Sequence, residues 1–508
     1  MAGSDVLIAG AGPTGLVLAL WLTRQGVSVR IVDRAAAPGT TSRALAVQAR
    51  TLELYRQLDL AQPVIDRGHR VPAINLWSRG VKAAHIGLAS IGTGLTPYPF
   101  LEIYPQDEHE QLLIARLREL GVTVERGVEL TSFTESGDGV RAQLRTAEGT
   151  EATADARFLA GCDGARSQVR ESLGSDFAGG TYQHLFYVAD IEGSGAPMDG
   201  ELHVDLDEAD FLAVFPLAGS GRARLVGTVQ DERARQPERL RFEDVSQRAM
   251  RNLALSVRKV NWFSTYHVHH RVAARFARGR VFLLGDAAHI HSPVGGQGMN
   301  TGIGDAINLA WKLAAVLGGR ADEALLATYE GERSGFAHRL VATTDRVFTF
   351  ATAQGKVADL LRTRLAPALM ARALSLEQVR EYLFRTVSQL VVEYRGSALS
   401  AGTAGRVHGG DRLPWVEGSL DNYASLAAIA WQAHVYGAAS EALRAACAAQ
   451  GVPLHLFPWS AAHAAAGLER DALYLLRPDT YVALADRSAD PAALARYFRE
   501  RALRPQAP

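Results

Sequence analysis

The sequence predicts an α/β fold in which a parallel sheet covered by helices is interrupted by an antiparallel sheet, then followed by a helical segment and a small α/β tail. Three observations predict it. A βαβ signature opens the chain, with an apolar strand run at residues 6–9, a glycine-rich turn, a helix at about 16–25 and a second strand at 27–32 ending in Asp33. Residues 181–272 then alternate apolar and polar side chains, as strands do when one face lies on a core. A buried-strand run at 281–284, a second glycine-rich loop and a long helix at 301–317 return the chain to its first pattern.

Between these landmarks the elements follow in order. Residues 42–58 and 106–120 read as helices, the second stopped by Gly121, and strand signals recur at 122–124, 140–144 and 158–160. Residues 211–215 and 224–228 are the clearest strands of the inserted sheet. Residues 320–395 are largely helical, 402–418 reads as a linker around Arg412-Leu413-Pro414, and the tail carries helices at 425–437 and 441–450 with strands at 472–476 and 481–484.

Composition bounds the function. At 508 residues the chain is worth about three units of ~150 residues each. Lys plus Arg number 54 and Asp plus Glu number 54, so the uncompensated cations that a nucleic-acid groove needs are missing. Cys162 and Cys447 form no CxxC pair, which excludes a disulfide framework or zinc ribbon and fits a reducing compartment. The apolar start lacks a basic flank and is broken by Gly10, Gly12, Pro13 and Gly15, so it is neither a signal peptide nor a spanning segment, and a cytoplasmic location is expected.

Three motifs carry chemistry. In Gly10-x-Gly12-x-x-Gly15 the first glycine permits a tight turn, the second lets a pyrophosphate approach the backbone and the third packs helix on sheet, while the helix N-terminus favours negative charge. Asp33, 18 residues after Gly15 at the end of the next strand, is placed to accept from ribose hydroxyls and to repel a 2′-phosphate. This context makes the turn an adenine-dinucleotide site in a Rossmann-like unit. Next, Asp163-Gly164 forms a turn after the strand at 158–160, with Ser167 as N-cap of a helix carrying Arg170. Finally, Gly285-Asp286 ends a strand, and Pro293-Val294-Gly295-Gly296-Gln297-Gly298-Met299-Asn300 brings backbone N–H groups to a helix N-terminus, a site suited to a ring that gains negative charge on reduction. His289 and His291 lack further ligands at metal spacing and read as packing residues.

Together these motifs resemble the three fingerprints of the class A flavoprotein aromatic hydroxylases, whose prototype is the p-hydroxybenzoate hydroxylase fold. The resemblance covers residues 4–345, and the block at 285–313, with Asp305-Ala306-Ile307-Asn308-Leu309-Ala310-Trp311-Lys312-Leu313, is similar to the phenol and polyketide hydroxylases. The tail, with Gly410-Asp411-Arg412-Leu413-Pro414 and Leu476-Arg477-Pro478-Asp479, resembles their C-terminal thioredoxin-like domain without its redox CxxC, and is expected to be structural or an oligomer contact. The implied plan is a Rossmann-like FAD-binding domain at 1–180 and 275–345, an inserted antiparallel β-sheet substrate domain at 181–274, a helical segment at 346–400 and a thioredoxin-like domain at 401–508.

The resemblance also implies roles. Gly10, Gly12, Pro13, Thr14 and Gly15 would hold the pyrophosphate, and Asp33 with Arg34 the AMP ribose. Arg43, in Ser42-Arg43-Ala44, would lie by the flavin phosphates and tune ring movement. Gln106 would bond the ribityl chain, Leu130 would meet adenine through its backbone, Asp286 would bind the ribityl and phosphate region, and Asp163 would belong to the cofactor site. Pro293 would lie over the flavin near C4a, while Gly296, Gly298, Met299 and Asn300 would present the loop to the ring. Arg43 and Pro293 are the residues expected to act in catalysis.

The activity so implied is an FAD-dependent monooxygenase that consumes NAD(P)H as transient electron donor and O2 as co-substrate, and hydroxylates a phenol or aromatic polyketide through a flavin C4a-hydroperoxide. A phenol needs an acceptor at its oxygen, for which the inserted sheet offers Tyr182, His184, Tyr187, His203, Asp205, Asp210, His267 and His269, with Phe211, Phe215, Trp262 and Phe263 as aromatic lining. Baeyer–Villiger insertion, epoxidation and a non-catalytic escort role share the fold; the intact Gly298-Met299-Asn300 loop and the Asp33 and Asp286 pair speak for a bound flavin. A monomer or homodimer is expected, with no metal, nucleic-acid or membrane partner.

Overall fold

A computed structural model describes residues 3–40, 44–88, 91–206, 211–229, 240–245, 247–291, 296–352, 376–418 and 420–505. The first layer is an eight-stranded sheet running from Ala277–Arg278 through Val281–Leu283, Glu151–Gly161, Ser4–Ala9 and Val29–Asp33 to Glu125–Arg126, with Gly139–Thr146 and Val128–Ser136 attached through Glu151–Gly161. Its centre is parallel, with Val6 opposite both Val29 and Phe158. Val6 to Ala9 are buried because helices cover both faces. The helix Pro13–Arg24 starts on a proline whose missing N–H costs nothing in a first turn, and ends where Gly26 takes φ +77°. It packs between Gly298–Leu317 and Gln106–Glu119.

The second sheet also has eight strands, in the order His289–Ile290, Leu255–Ala273, Phe177–Gly195, Arg222–Val229, Phe211–Pro216, Leu202–Leu206, Ala73–Ser78 and Val81–Gly87. One face carries Leu185, Tyr187, Leu212, Val214 and Leu225 beneath the helix Gln247–Asn252. The opposite face carries Phe186, Phe211, Val226, Tyr266 and Val268, continuing to Phe215 and Val204, which pack on Leu45 and Ala46 of the first unit. Period-2 alternation thus divides this sheet between its own core and the flank of the first unit.

A six-stranded mixed sheet forms the tail, ordered Val407–His408, Ala401–Ala404, Val482–Asp486, Leu473–Leu476, Gln432–Tyr436 and Leu454–Phe457. Buried ion pairs dock it. Arg412 binds Glu53 at 2.5 Å, and Arg477 binds Glu332 at 2.6 Å. Burial alone would raise the Glu332 carboxyl, but Arg477 and Lys312 overturn that and hold it far below the usual range.

Several expected elements differ. Residues 44–48 belong to no helix. Ala46–Val47 pairs with Leu101–Ile103, and the helix begins only at Ala49, because Leu45 O and Ala44 O accept from Tyr104 N and Gln106 N. The strand expected at 122–124 falls at Glu125–Arg126. The hairpin Ala73–Ser78 and Val81–Gly87 was not expected; Arg79 and Gly80 both take positive φ in its two-residue turn. The expected linker at 402–418 holds two strands and the buried Arg412. Within 425–437 a short 3-10 turn leads into the strand Gln432–Tyr436, buried throughout, for which apolar periodicity cannot separate strand from helix.

Candidate functional site

The glycine-rich turn lies against the strand ends of the first sheet. Gly10 takes φ +103°, and a Cβ there would sit 2.2 Å from Cys162 O; at Gly15 it would sit 2.0 Å from Gly10 O. At Gly12 a Cβ would meet nothing within 4 Å. Gly10 and Gly15 are therefore required by packing inside the protein, and Gly12 keeps the outer face of the turn approachable. No side chain caps the helix Pro13–Arg24, and no acid lies in its first turn, so its N-terminus can take an anion. Pro13 is buried at its first position. The Thr14 hydroxyl turns inward, since a Cβ on Gly285 or Gly302 would meet Thr14 Oγ1 at 2.6 or 2.3 Å. The Thr14 side chain thus brings three elements to one point.

Asp33 braces this turn. Its carboxylate accepts from Ala11 N at 2.7 Å and Ala35 N at 2.8 Å, and Arg126 stands 3.6 Å away. Arg34 beside it is exposed. Arg126 Nη2 is buried without a hydrogen-bond partner among the described residues, a donor that a bound acceptor would satisfy. Gln106 starts the helix Gln106–Glu119 and donates to Glu110 Oε1 at 2.8 Å; burial raises the Glu110 carboxyl, and the Gln106 bond and the charge of Arg126 oppose that without reversing it. Leu130 is buried in Val128–Ser136, opposite Leu144.

The second motif is largely internal. Asp163 accepts from Ser167 Oγ at 2.5 Å and Val169 N at 3.1 Å, Gly164 takes φ +81°, and Ser167 Oγ caps Arg170 N as expected. Arg170 then donates to Ala287 O at 2.9 Å, tying this turn to the third motif.

There Asp286 is exposed on the turn Gly285–Ala287. The turn is held from behind by Asp305, which accepts from Gly285 N at 3.0 Å, His289 Nε2 at 2.7 Å and Arg333 Nε at 2.6 Å. Burial would raise the Asp305 carboxyl, but Arg333 and His289 reverse that and hold it below the usual range. His289 is thus held by a buried bond to Asp305. The helix Gly298–Leu317 has neither a side-chain cap nor an acid in its first turn. Gly296 takes φ +62°, where a Cβ would press on Ala46 at 2.6 Å, and Gly298 and Met299 are half-buried in and beside it. The Asn300 side chain does something the sequence did not suggest. Its Oδ1 accepts from Gln48 N and Thr51 Oγ1, and its Nδ2 donates to Ala46 O and Gly296 O, fastening residues 46–51 to the loop and first turn around Asn300. Arg43 and Pro293 lie outside the described residues.

Across from Ala44–Ala46 stands the aromatic face of the second sheet. Arg224 is buried and binds Asp190 through two bonds of 2.6 and 2.7 Å, and its Nη1 reaches Ala44 O at 3.4 Å. Neither residue was singled out from the sequence, where an Arg/Asp pair on neighbouring strands is indistinguishable from solvated charge. Of the expected phenol acceptors, Tyr182 packs on the aromatic face. Tyr187 lies in the opposite core, and His203 and Asp205 pair with Val214 and Leu212 of that core. His267 is exposed, His269 bonds Thr181 Oγ1 at 2.7 Å, His184 is half-buried, and Asp210 lies outside the described residues. Phe211 and Phe215 line the inner face, Trp262 lies under Arg224, and Phe263 packs in the opposite core.

Asp199, Glu201 and His203 bring three ligand atoms within 4.8 Å. Trp77 Nε1–H donates to His203 Nδ1 at 3.0 Å, so the ring proton sits on Nε2, bonded to Asp199 at 2.8 Å. That tautomer offers a metal no lone pair.

Residues 3–344 match the family described as FAD binding domain. The chain belongs to this family and is a flavoprotein monooxygenase. It is 38% identical over 440 residues to the 6-methylpretetramide 4-monooxygenase of Streptomyces rimosus, covering 84% of this chain and 77% of that protein. A flavin-dependent monooxygenase of Mycobacteroides abscessus is 32% identical over 497 residues, 94% of this chain and 96% of its own. Among solved structures, the anhydrotetracycline hydroxylase of Streptomyces rimosus superposes with TM-score 0.78 at 30% identity, covering 98% of both chains. The class and fold expected from the flavin motifs are borne out, and FAD is the cofactor of this monooxygenase family. Among the described residues no helix is long and apolar enough to cross a membrane.

Proposed function

We propose that this monooxygenase hydroxylates a polycyclic aromatic polyketide at the expense of NAD(P)H and O2, with overall balance NAD(P)H + H⁺ + O2 + ArH giving NAD(P)⁺ + H2O + ArOH. The observation that carries the reading is the convergence of two uncapped helix N-termini on Thr14, facing an aromatic sheet surface across Ala44–Ala46. When bound, FAD supplies the redox and oxygen-transfer chemistry. The chain does the rest. Gly10, Gly12, Gly15 and the Pro13–Arg24 N-terminus would hold the diphosphate, Asp33 and Arg126 the AMP half, and Asp286 with the Gly298–Leu317 N-terminus the ring half. Phe186, Phe211 and Tyr266 would seat the substrate rings, and Arg224 would hold Ala44, next to Arg43. Asp190 is committed to Arg224 and is not the phenol acceptor. On this reading 1–180 and 275–345 carry the flavin, 181–274 the substrate and 401–508 a structural unit. The polyketide class is supported by the substrates in the names of the relative and of the solved neighbour.

The test is NAD(P)H oxidation by the purified yellow protein across a panel of phenols and aromatic polyketides, with product mass followed. A gain of one oxygen atom on a polyketide is expected. Peroxide as the sole product with every aromatic would overturn the reading.

A further inference from the structure

Three consecutive residues, the last of the helix Glu377–Val387 and the two that follow it, each bond one of the two segments that fasten on Asn300. Val387 O accepts from Gln297 Nε2 at 2.7 Å, and Ser388 O accepts from Arg50 N at 3.2 Å. Gln389 Nε2 donates to Gln297 Oε1 at 2.6 Å and to Thr301 Oγ1 at 3.0 Å. Gln297 is the N-cap of Gly298–Leu317, yet its side chain does not cap that helix; both ends of its amide are held by 387–389 instead. Gln389 is buried and takes φ +60°, a left-handed conformation that L side chains rarely adopt. The helix before it buries none of its residues, so these bonds are not a by-product of core packing there.

We propose that Gln389 is a positioning residue for the flavin. Its amide fixes Gln297 and Thr301, and through them the first turn of Gly298–Leu317, whose N–H groups would face the ring. Preorganised donors at the place where charge develops are effective because they need not reorient. A loosened Gln297 lets that turn fray and weakens both affinity and electrostatics at the ring. This inference rests on the flavin assignment made above.

The experiment uses the full-length protein with Gln389→Gly, Gln389→Ala, Gln297→Ala and the Gln297→Ala/Gln389→Ala double variant. Glycine tolerates the left-handed backbone, so Gln389→Gly removes the amide without adding strain, and its thermal midpoint should stay within a few degrees of wild type. FAD affinity, read by fluorescence titration, should fall roughly tenfold in each single variant. The visible band of bound FAD should move towards that of free flavin. The double variant should be no worse than the weaker single, because both act through one contact. Unchanged affinity and spectrum in Gln389→Gly, or fully additive losses in the double, overturn the proposal. A failed flavin assignment is recognised separately, because the wild-type chain would then bind no FAD, and both proposals fall.

Discussion

Raising the pH from 4.5 towards 8 should cost this fold stability at one residue, Glu102, and Glu102→Gln should remove the loss. Glu102 is the middle residue of Leu101–Ile103, wholly buried, and neither carboxyl oxygen has a hydrogen-bond partner among the described residues. Gly68 makes room for it, since a Cβ there would lie 2.0 Å from Glu102 Oε1. Burial pushes its pKa up to about 8, and the charge of Arg70, its neighbour on the adjoining strand, opposes that without reversing it. In the unfolded chain the group titrates at its ordinary value of 4.5. A folded pKa above the unfolded one gives stability that is whole below the unfolded value and drains as pH climbs to the folded one, because the unfolded chain releases the proton first. One pKa unit is worth ~1.4 kcal/mol, so a window of ~3.5 units caps the effect at about 5 kcal/mol. Relaxation around the ionised group takes back part of this, and we expect roughly 2 kcal/mol. Urea unfolding of wild type and Glu102→Gln at pH 5, 6.5 and 8 isolates the residue, since all other groups cancel. The variant should gain on wild type with each step. Stability differences that stay constant across the three pH values would refute the reasoning.

Other perturbations separate packing from binding. Gly10→Ala drives a Cβ to 2.2 Å from Cys162 O at φ +103°, so it should lower the thermal midpoint and FAD uptake together; a stable, colourless Gly10→Ala would contradict that. Gly12→Val, with nothing within 4 Å of its Cβ, should melt like wild type while FAD affinity drops at least tenfold; full FAD occupancy by titration would remove the diphosphate from this turn. On the proposed reading Arg126→Leu should weaken FAD about tenfold, because it removes a buried donor that the cofactor would satisfy, and equilibrium dialysis at unchanged affinity would show that donor to be unused. Arg224→Leu leaves Asp190 without its cation and should destabilise by roughly 2 kcal/mol in urea unfolding, discounted because Asp190 is partly exposed. Asp190→Asn in the same chain should recover part of that loss, and a double variant worse than the single would exclude the pairing.

Features defined by local geometry were legible in the sequence. Gly10, Asp33, Gly164 and Ser167 were readable because a tight turn, a strand end and an N-cap each demand a residue type at fixed spacing. Asn300 stood out in the sequence only as part of the loop before the long helix, and its side-chain role was not readable, because Gln48 and Thr51 lie about 250 residues away and become partners only through the tertiary fold. Arg126 and Arg224 were missed for the same reason. Two of the misread segments share one cause. Residues 44–48 and 432–436 are short buried segments whose form is chosen by strands elsewhere, namely Leu101–Ile103 and Leu473–Leu476. Tertiary pairing decides such runs, and no single-segment pattern carries it.

The balanced charge of the whole chain has a local counterpart in how the tail is docked. Each buried carboxylate at the junction meets cations, and the tail supplies one at two of them: Glu53 with Arg50 and Arg412, and Glu332 with Lys312 and Arg477; Asp305 is met by Arg333. Such pairs add little net stability, because desolvation consumes most of the attraction. Their force is discriminating, since any other docking of the tail would strand a buried charge at a cost of several kcal/mol. Arg333 extends the same logic inward. It donates to Tyr394 on one side and to Asp305 on the other, and Asp305 holds Gly285 N beside the exposed Asp286. The tail carries no CxxC. Its link to that turn runs through Tyr394, whose ring packs on Tyr481 of the tail at 4.4 Å.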